Sequence, residues 1–270
     1  MRVSTLASLL VLFWEARGVK NKLRFLCYVA KNAVVKVGIR ILGKPLSDRS
    51  DIFIEFKKVR LWFGFAAGEL SSYIEIYLKK YYELDPDFVP EEGDIVFDIG
   101  ANIGVYAIKQ ALRVKNGKVF AFEPNPHAYA TLVRNIRTNN LHNVLAINKA
   151  IFSKRCRVGL SWSNYTGRTT VTEQKGRWMV EALTLDEVVE IYKVRKIDLM
   201  KIDVEGCEIE VLKGGERALQ LVEKIVLECH SEELKRQVKA FLESKGFEEV
   251  LEKRLEETYL LYFKTKGGQR

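Results

Sequence analysis

The stretch V-F-D-I-G-A-N-I-G-V-Y, residues 96–106, constrains this chain more than any other. Three apolar residues, Ile95, Val96 and Phe97, lead into the acid Asp98; two glycines, Gly100 and Gly104, follow, and a helical pattern opens at Val105. Strand, tight turn and helix in that order build a βα unit of an open parallel sheet. Gly100 permits a backbone turn that a Cβ would obstruct, and Gly104 lets the following helix approach the sheet closely. The N–H groups exposed at the loop and helix start can hold an anionic group, a nucleotide-binding geometry. A dinucleotide fold wants G-x-G-x-x-G, whereas this loop offers G-x-x-x-G. A nicotinamide or flavin cofactor is therefore disfavoured.

From Glu92 onward strands alternate with helices, which predicts a parallel sheet with helices on both faces. The spacing predicts strands at 95–97, 119–122, 144–147, 197–202 and 224–227, and helices at 105–114, 128–139, 185–194, 208–212 and 232–245. Thr184 caps the third of these helices, and residues 259–263 read as a last, edge strand. Between about 156 and 183 an alternating pattern with Gly159, Gly167 and Gly176 predicts an antiparallel β insertion. Upstream, the first 45 residues read as two helices interrupted near Gly18, residues 52–56 and 59–63 as a hairpin, and residues 71–82 as a helix capped by Ser71 or Ser72. A boundary before that helix divides residues 1–69 from residues 70–270.

The net charge of +9 sits wholly at the front: residues 1–80 carry 15 Lys/Arg against 6 Asp/Glu, while the remaining 29 basic and 29 acidic residues cancel. That asymmetry suggests that the N-terminal region faces an anionic lipid surface or nucleic acid, or presents a solvated basic face. The basic stripe is imperfect, with Lys36, Arg40 and Lys44 on one side of the second helix and Lys20, Arg24 and Lys31 on roughly the other. The apolar stretch from Val3 to Trp14 is too short to span a bilayer, and no small-residue cleavage pattern follows it. Cys27, Cys156, Cys207 and Cys229 show no C-x-x-C spacing, the usage of reduced thiols and hence of the cytoplasm. A charged fraction of 29% beside an apolar fraction of 47%, with only five prolines, excludes a disordered or linker-rich chain.

Further acids stand at strand ends, the edge where open parallel sheets bind ligands. Glu123, in A-F-E-P, lies 25 positions after Asp98 and is suited to accept both hydroxyls of a ribose. Asp203 and Glu205, in K-I-D-V-E-G, share a face by period two, as do Glu228 and His230 in L-E-C-H. Glu208 and Glu210 read instead as acids complementing a helix start.

D-I-G-A-N-I-G, F-E-P-N, K-I-D-V-E-G and L-E-C-H, in this order, resemble the FkbM-type methyltransferase family over about residues 70–263. The resemblance implies a class I methyltransferase fold with a seven-stranded, mostly parallel sheet, S-adenosyl-L-methionine as cofactor, and O-methylation of a hydroxyl on a sugar, glycan or other small metabolite. By matching motif, Asp98, Gly100, Asn102 and Gly104 would line the methionine end and Glu123 the ribose. Asn148 falls where many class I enzymes carry an acid toward the adenine. Asp203 is the first choice of base, with Glu205 and His230 behind it. No metal is assigned; a metal-assisted variant would draw on Asp203, Glu205, Glu228 and His230 for Mg²⁺ or Mn²⁺.

Two other readings compete. The basic N-terminal region would suit an RNA or DNA methyltransferase, although no N-P-P-Y-like segment follows the fourth strand. A non-catalytic binding protein could also keep the fold. For residues 1–69 the expectation is peripheral contact with the inner face of a membrane, near a lipid-linked glycan acceptor.

Overall fold

The computed structural model describes residues 3–42, 51–64, 68–162, 169–172 and 178–267, without the side chains of 3–6, 31–42, 68, 162 and 169–172. The side chains of Lys31, Lys36 and Arg40, together with Lys44, Gly167 and Gly176, thus lie outside the described residues. Helices α1 (Val3–Glu15) and α2 (Gly18–Leu42) precede a hairpin of β1 (Ile52–Glu55) and β2 (Arg60–Phe63), as the apolar patterning predicts. The next helix departs from expectation. α3 (Gly68–Tyr73) starts before Ser71 and widens into a π-helical turn over Ile74–Leu78, closed by the Lys79 N–H on the Ile74 carbonyl at 2.8 Å. Two 3₁₀ turns follow, Tyr81–Glu83 and Pro86–Phe88.

The α/β part runs β3 (Ile95–Ile99), α4 (Val105–Val114), β4 (Lys118–Phe122), α5 (Pro126–Thr138) and β5 (Val144–Ile147). The insertion follows, with β6 (Ala150–Ile151), β7 (Cys156–Trp162), β8 (Thr169–Thr172) and β9 (Trp178–Leu183). The chain ends with α6 (Leu185–Ile191), β10 (Ile197–Ile202), α7 (Glu208–Lys213), β11 (Val222–Cys229), α8 (Glu232–Ser244), β12 (Phe247–Arg254) and β13 (Tyr259–Thr265). Thr184 caps α6 in a reciprocal capping box with Glu187, because T-L-D-E places a carboxylate three residues after the cap.

Seven strands form one sheet in the order β12-β13-β11-β10-β3-β4-β5; the five from β11 to β5 are parallel, β13 runs antiparallel to them, and β12, antiparallel to β13, runs in the direction of the five. Both faces are covered, so the strands alternate between two cores rather than between core and water. Val96, Val119, Leu199, Val226 and Tyr262 pack on the side of α4 and α5, while Phe97, Phe120, Met200, Ile225 and Phe263 pack on the side of α6 to α8. This double burial corrects the expected edge. Residues 259–263 read apolar because their strand is interior, and the edge strand is Phe247–Arg254, whose F-E-E-V-L-E-K-R is largely charged, as unpaired edges tend to be.

The insertion is a separate four-stranded sheet of order β6-β9-β7-β8. It is antiparallel except where β6 pairs β9 in parallel.

The N-terminal extension shares the core of the α4 side, through Leu12, Phe25, Tyr28, Phe56 and Phe63. Two asparagines one helical turn apart on α5 tie the hairpin down. Asn135 takes the Trp62 N–H at 2.7 Å and donates to the Trp62 carbonyl at 3.1 Å, and Asn139 takes the Arg60 N–H at 3.0 Å. The buried Asn135 amide also donates to the Ile103 carbonyl at 2.9 Å, joining the extension to the glycine loop.

Candidate active site

The glycine loop closes over the end of β3. At Gly100, φ is +83° and an added Cβ would stand 1.8 Å from the Asp203 carbonyl oxygen, so only glycine lets the β3 and β10 ends pass this closely. Gly104, at φ +87°, has a different contact from the one expected: its Cβ would lie 2.3 Å from Leu132 Cδ1 on α5, so the close approach is helix to helix. The loop is closed again from β4, where Glu123 accepts the N–H of Asn102 at 2.7 Å and of Asn125 at 2.8 Å. Burial pushes the Glu123 carboxyl up to about 7 against the pull of those two bonds.

A cleft of about 650 Å³ opens beside this loop, lined by Gly100, Asn102, Glu123, Asp203 and Glu205, with Pro124 and Lys149 to Ile151 further along. A second cavity of about 350 Å³ shares Gly100, Asn102 and Asp203 and continues to Ser72, Glu75, Ile76, Tyr82 and Lys201. Three expected lining residues lie elsewhere. Asp98 is wholly buried beneath the loop, Gly104 caps α4, and Asn148 donates its amide to the carbonyls of Glu123 at 2.8 Å and Pro124 at 3.1 Å. Asn148 thereby props the turn that carries Glu123, the work an amide can do and a carboxylate cannot.

Under the loop a lysine organises the acids. Lys201, 3% exposed, reaches Asp98 Oδ1 at 3.1 Å, the Gly100 carbonyl at 2.9 Å and Asp203 Oδ2 at 3.6 Å. Burial alone would lower its pKa, but the charges of Asp98 and Asp203 outweigh that and raise it. Asp98 moves the other way from most paired acids: desolvation raises its carboxyl although Lys201 pulls it down.

Asp203 lies just past the end of β10 and is half-buried. Its Oδ2 accepts from the Tyr82 hydroxyl at 3.0 Å, and the same hydroxyl lies 3.1 Å from Glu228 Oε2. One phenolic proton cannot satisfy both carboxylates. Glu228, raised by burial and then by the charge of Asp203, is the group suited to hold a second proton; Thr258 also donates to its Oε1 at 2.7 Å. Tyr82 is held in place by its neighbours. Glu83 binds Lys109 at 2.8 Å and Arg113 at 2.9 Å on α4, while the Leu84 N–H donates to the Tyr262 hydroxyl at 3.2 Å.

His230 is brought to the same edge but differs from expectation in its protonation. Its Nδ1 lies 2.8 Å from Glu208 Oε1 and its Nε2 3.1 Å from Glu205 Oε2, with Asp203 Oδ1 at 4.0 Å. Burial works against its charge, yet the bonds to Glu205 and Glu208 push it up to about 11. An imidazolium donating from both nitrogens has no lone pair with which to take a proton, which removes His230 from the candidate bases. Glu208, fully buried, opens α7 as expected and is also part of the site. One ligand atom each from Asp203, Glu205 and His230 lies within 4.8 Å of the others, a set that could take a divalent cation in exchange for the Nε2 proton.

Lys201 and Tyr82 are site residues that the motifs do not single out, and Glu208 reads from the sequence only as a helix-start acid. A lysine inside the apolar strand L-M-K-I was a usable signal, since a buried ammonium needs paired acids. No such signal marks Tyr82, whose partners lie 121 and 146 positions away.

Comparison with known proteins agrees with the geometry. The family model described as methyltransferase FkbM domain matches residues 98–249. The hexuronic acid methyltransferase AglP of Haloferax volcanii is 33% identical over 142 residues, 52% of this chain and 58% of that protein. Methyltransferase sdnD of Sordaria araneosa is 32% identical over 212 residues, 65% of this chain and 81% of its own length. Among solved structures, Trm5b of Pyrococcus abyssi superposes with a TM-score of 0.50 at 16% identity, covering 81% of this chain and 56% of that one, a likeness of fold.

Proposed function

Because the chain belongs to the FkbM methyltransferase family, we propose that it transfers the methyl group of S-adenosylmethionine to a hydroxyl of a sugar, glycan or similar small metabolite, in the cytoplasm. The observation that carries this reading is the position of Asp203, on the wall shared by the Glu123 cleft and the second cavity. The cleft suits the cofactor. A buried carboxylate lines it beside a glycine turn with no room for a side chain, as a ribose diol and a closely approaching ligand require. Glu123 would hold the ribose, Gly100 and Asn102 the methionine end, and Pro124 with Lys149, Ala150 and Ile151 the base. When bound, the cofactor supplies a methyl group on a sulfonium, an electrophile that needs no activation by the protein.

What the chain must supply is alignment and a destination for the hydroxyl proton. Asp203 Oδ2 is committed to Tyr82, and its Oδ1, 4.0 Å from the His230 ring, is the oxygen that takes the proton. Tyr82, within hydrogen-bond reach of both Asp203 and Glu228, holds Oδ2 in place while Oδ1 accepts the proton. Glu205 and Glu208 keep His230 cationic, and the imidazolium orients Asp203 rather than competing with it as a base.

The hexuronic acid in the name of AglP supports a sugar acceptor. Within such a sugar the site favours a hydroxyl over a carboxylate. An ionised carboxylate needs no base, and the Asp203 carboxylate would repel it. The test is transfer of labelled methyl from S-adenosylmethionine to a cell extract fractionated into lipid, glycan, small metabolite and nucleic acid. Alkali-stable label on a glycan or small metabolite is expected; alkali-labile ester label, or label on nucleic acid alone, would refute the reading.

A further inference from the structure

The first two helices are apolar on the side that faces away from the protein. α2 docks through Asn21, Phe25 and Tyr28, which are buried at i, i+4 and i+7 and face β1 and the hairpin. The opposite stripe carries Val19, Leu23 and Leu26, and α1 exposes Leu10, Val11 and Trp14. Lys22 ties the two helices together, its ammonium 4.3 Å from the centre of the Trp14 ring. These six side chains are 46–74% exposed. Among the described residues they are six of the ten exposed large hydrophobics, gathered within residues 10–26. Apolar residues scattered singly need no explanation, but a clustered patch indicates a surface that is covered in use.

The charge around the patch selects what covers it. Among the described side chains of residues 16–30, Arg17, Lys20, Lys22 and Arg24 are basic, and none is acidic. A second copy of the chain would bring that basic belt against itself, and a nucleic acid would leave the aliphatic stripe unsatisfied. An anionic bilayer meets both demands, with acyl chains for the stripe and headgroups for the belt. No described helix is long and apolar enough to cross a membrane, so the helices would lie in the interface. We propose that α1 and the first half of α2 form a docking face for an anionic lipid bilayer, seated through Leu10, Val11, Trp14, Val19, Leu23 and Leu26.

The test is co-sedimentation of the full chain with vesicles of phosphatidylcholine alone and of phosphatidylcholine mixed with phosphatidylglycerol, at low and high salt. Pelleting with the anionic vesicles, weakened by salt, is expected. The double variant L10E/L23E should lose at least about tenfold in partitioning, since each leucine contributes by burying its side chain. The variant should keep the parent's melting temperature and S-adenosylmethionine affinity, because both positions are on the surface. Wild-type protein that stays in the supernatant, or a variant that pellets equally, would overturn the proposal. So would a concentration-dependent dimer or an RNA complex that these substitutions abolish while vesicle binding is absent.

Discussion

Glu123 offers a direct measurement of the cofactor cleft. Its carboxyl is 5% exposed, accepts two backbone N–H groups and is pushed by burial up to about 7, from an ordinary value of 4.5. If the ionised form is the one that accepts ribose hydroxyls, affinity for S-adenosylmethionine follows its ionised fraction. Between pH 8 and pH 6 that fraction falls about tenfold, so affinity should fall by about 1.4 kcal/mol. A carboxyl of ordinary pKa would be ionised throughout and give no change. The assay is calorimetric titration at pH 6, 7 and 8 in buffers of different ionisation enthalpy, which also detects the roughly half proton released on binding at pH 7. Glu123→Gln should lose the pH dependence and about 1.5–3 kcal/mol of affinity for a charge-assisted bond. The variant also subtracts any titration belonging to the ligand. Wild-type affinity that is flat between pH 6 and 8, with no proton release beyond that of the variant, would refute the reasoning.

Asp203→Asn should lower kcat by about 10²–10⁴-fold while leaving S-adenosylmethionine affinity within a few-fold, and unchanged turnover would remove Asp203 as the base. Lys201→Met leaves Asp98 buried without its cation and should cost about 3–5 kcal/mol in urea denaturation; a loss below about 1 kcal/mol would show that the pair is not needed. His230 has a folded pKa pushed up to about 11 from 6.5. Its stabilisation is therefore complete below pH 6.5 and disappears as pH rises to about 11. Thermal melts of wild type and His230→Gln should differ most at pH 6 and converge toward pH 11, and a constant gap would contradict the imidazolium assignment.

The elements of the α/β part were legible because their signals are local. β5 and β10 match the predicted spans Val144–Ile147 and Ile197–Ile202, and α4 the span Val105–Val114. The segment before Ile95 was less so, because S-S-Y-I-E-I-Y-L has helical periodicity but nothing that announces a π-helical turn. The strand Phe247–Arg254 escaped notice since its charges suit an edge and mimic a loop. The strand-end acids were found, yet Glu205 meets His230 from a turn at φ +53° beyond the strand rather than by the period-two register expected of it.

By itself the sequence determined the strand–glycine–helix unit, the doubly covered sheet and the three strand ends where chemistry collects. These depend on periodicity and on backbone freedom, which neighbouring residues set. Only the tertiary structure decided the protonation of that edge: His230 cationic between Glu205 and Glu208, Tyr82 between Asp203 and Glu228, and Lys201 beneath the loop. Proton positions follow from burial and from charges a few ångströms away, and the residues that supply them lie far apart along the chain.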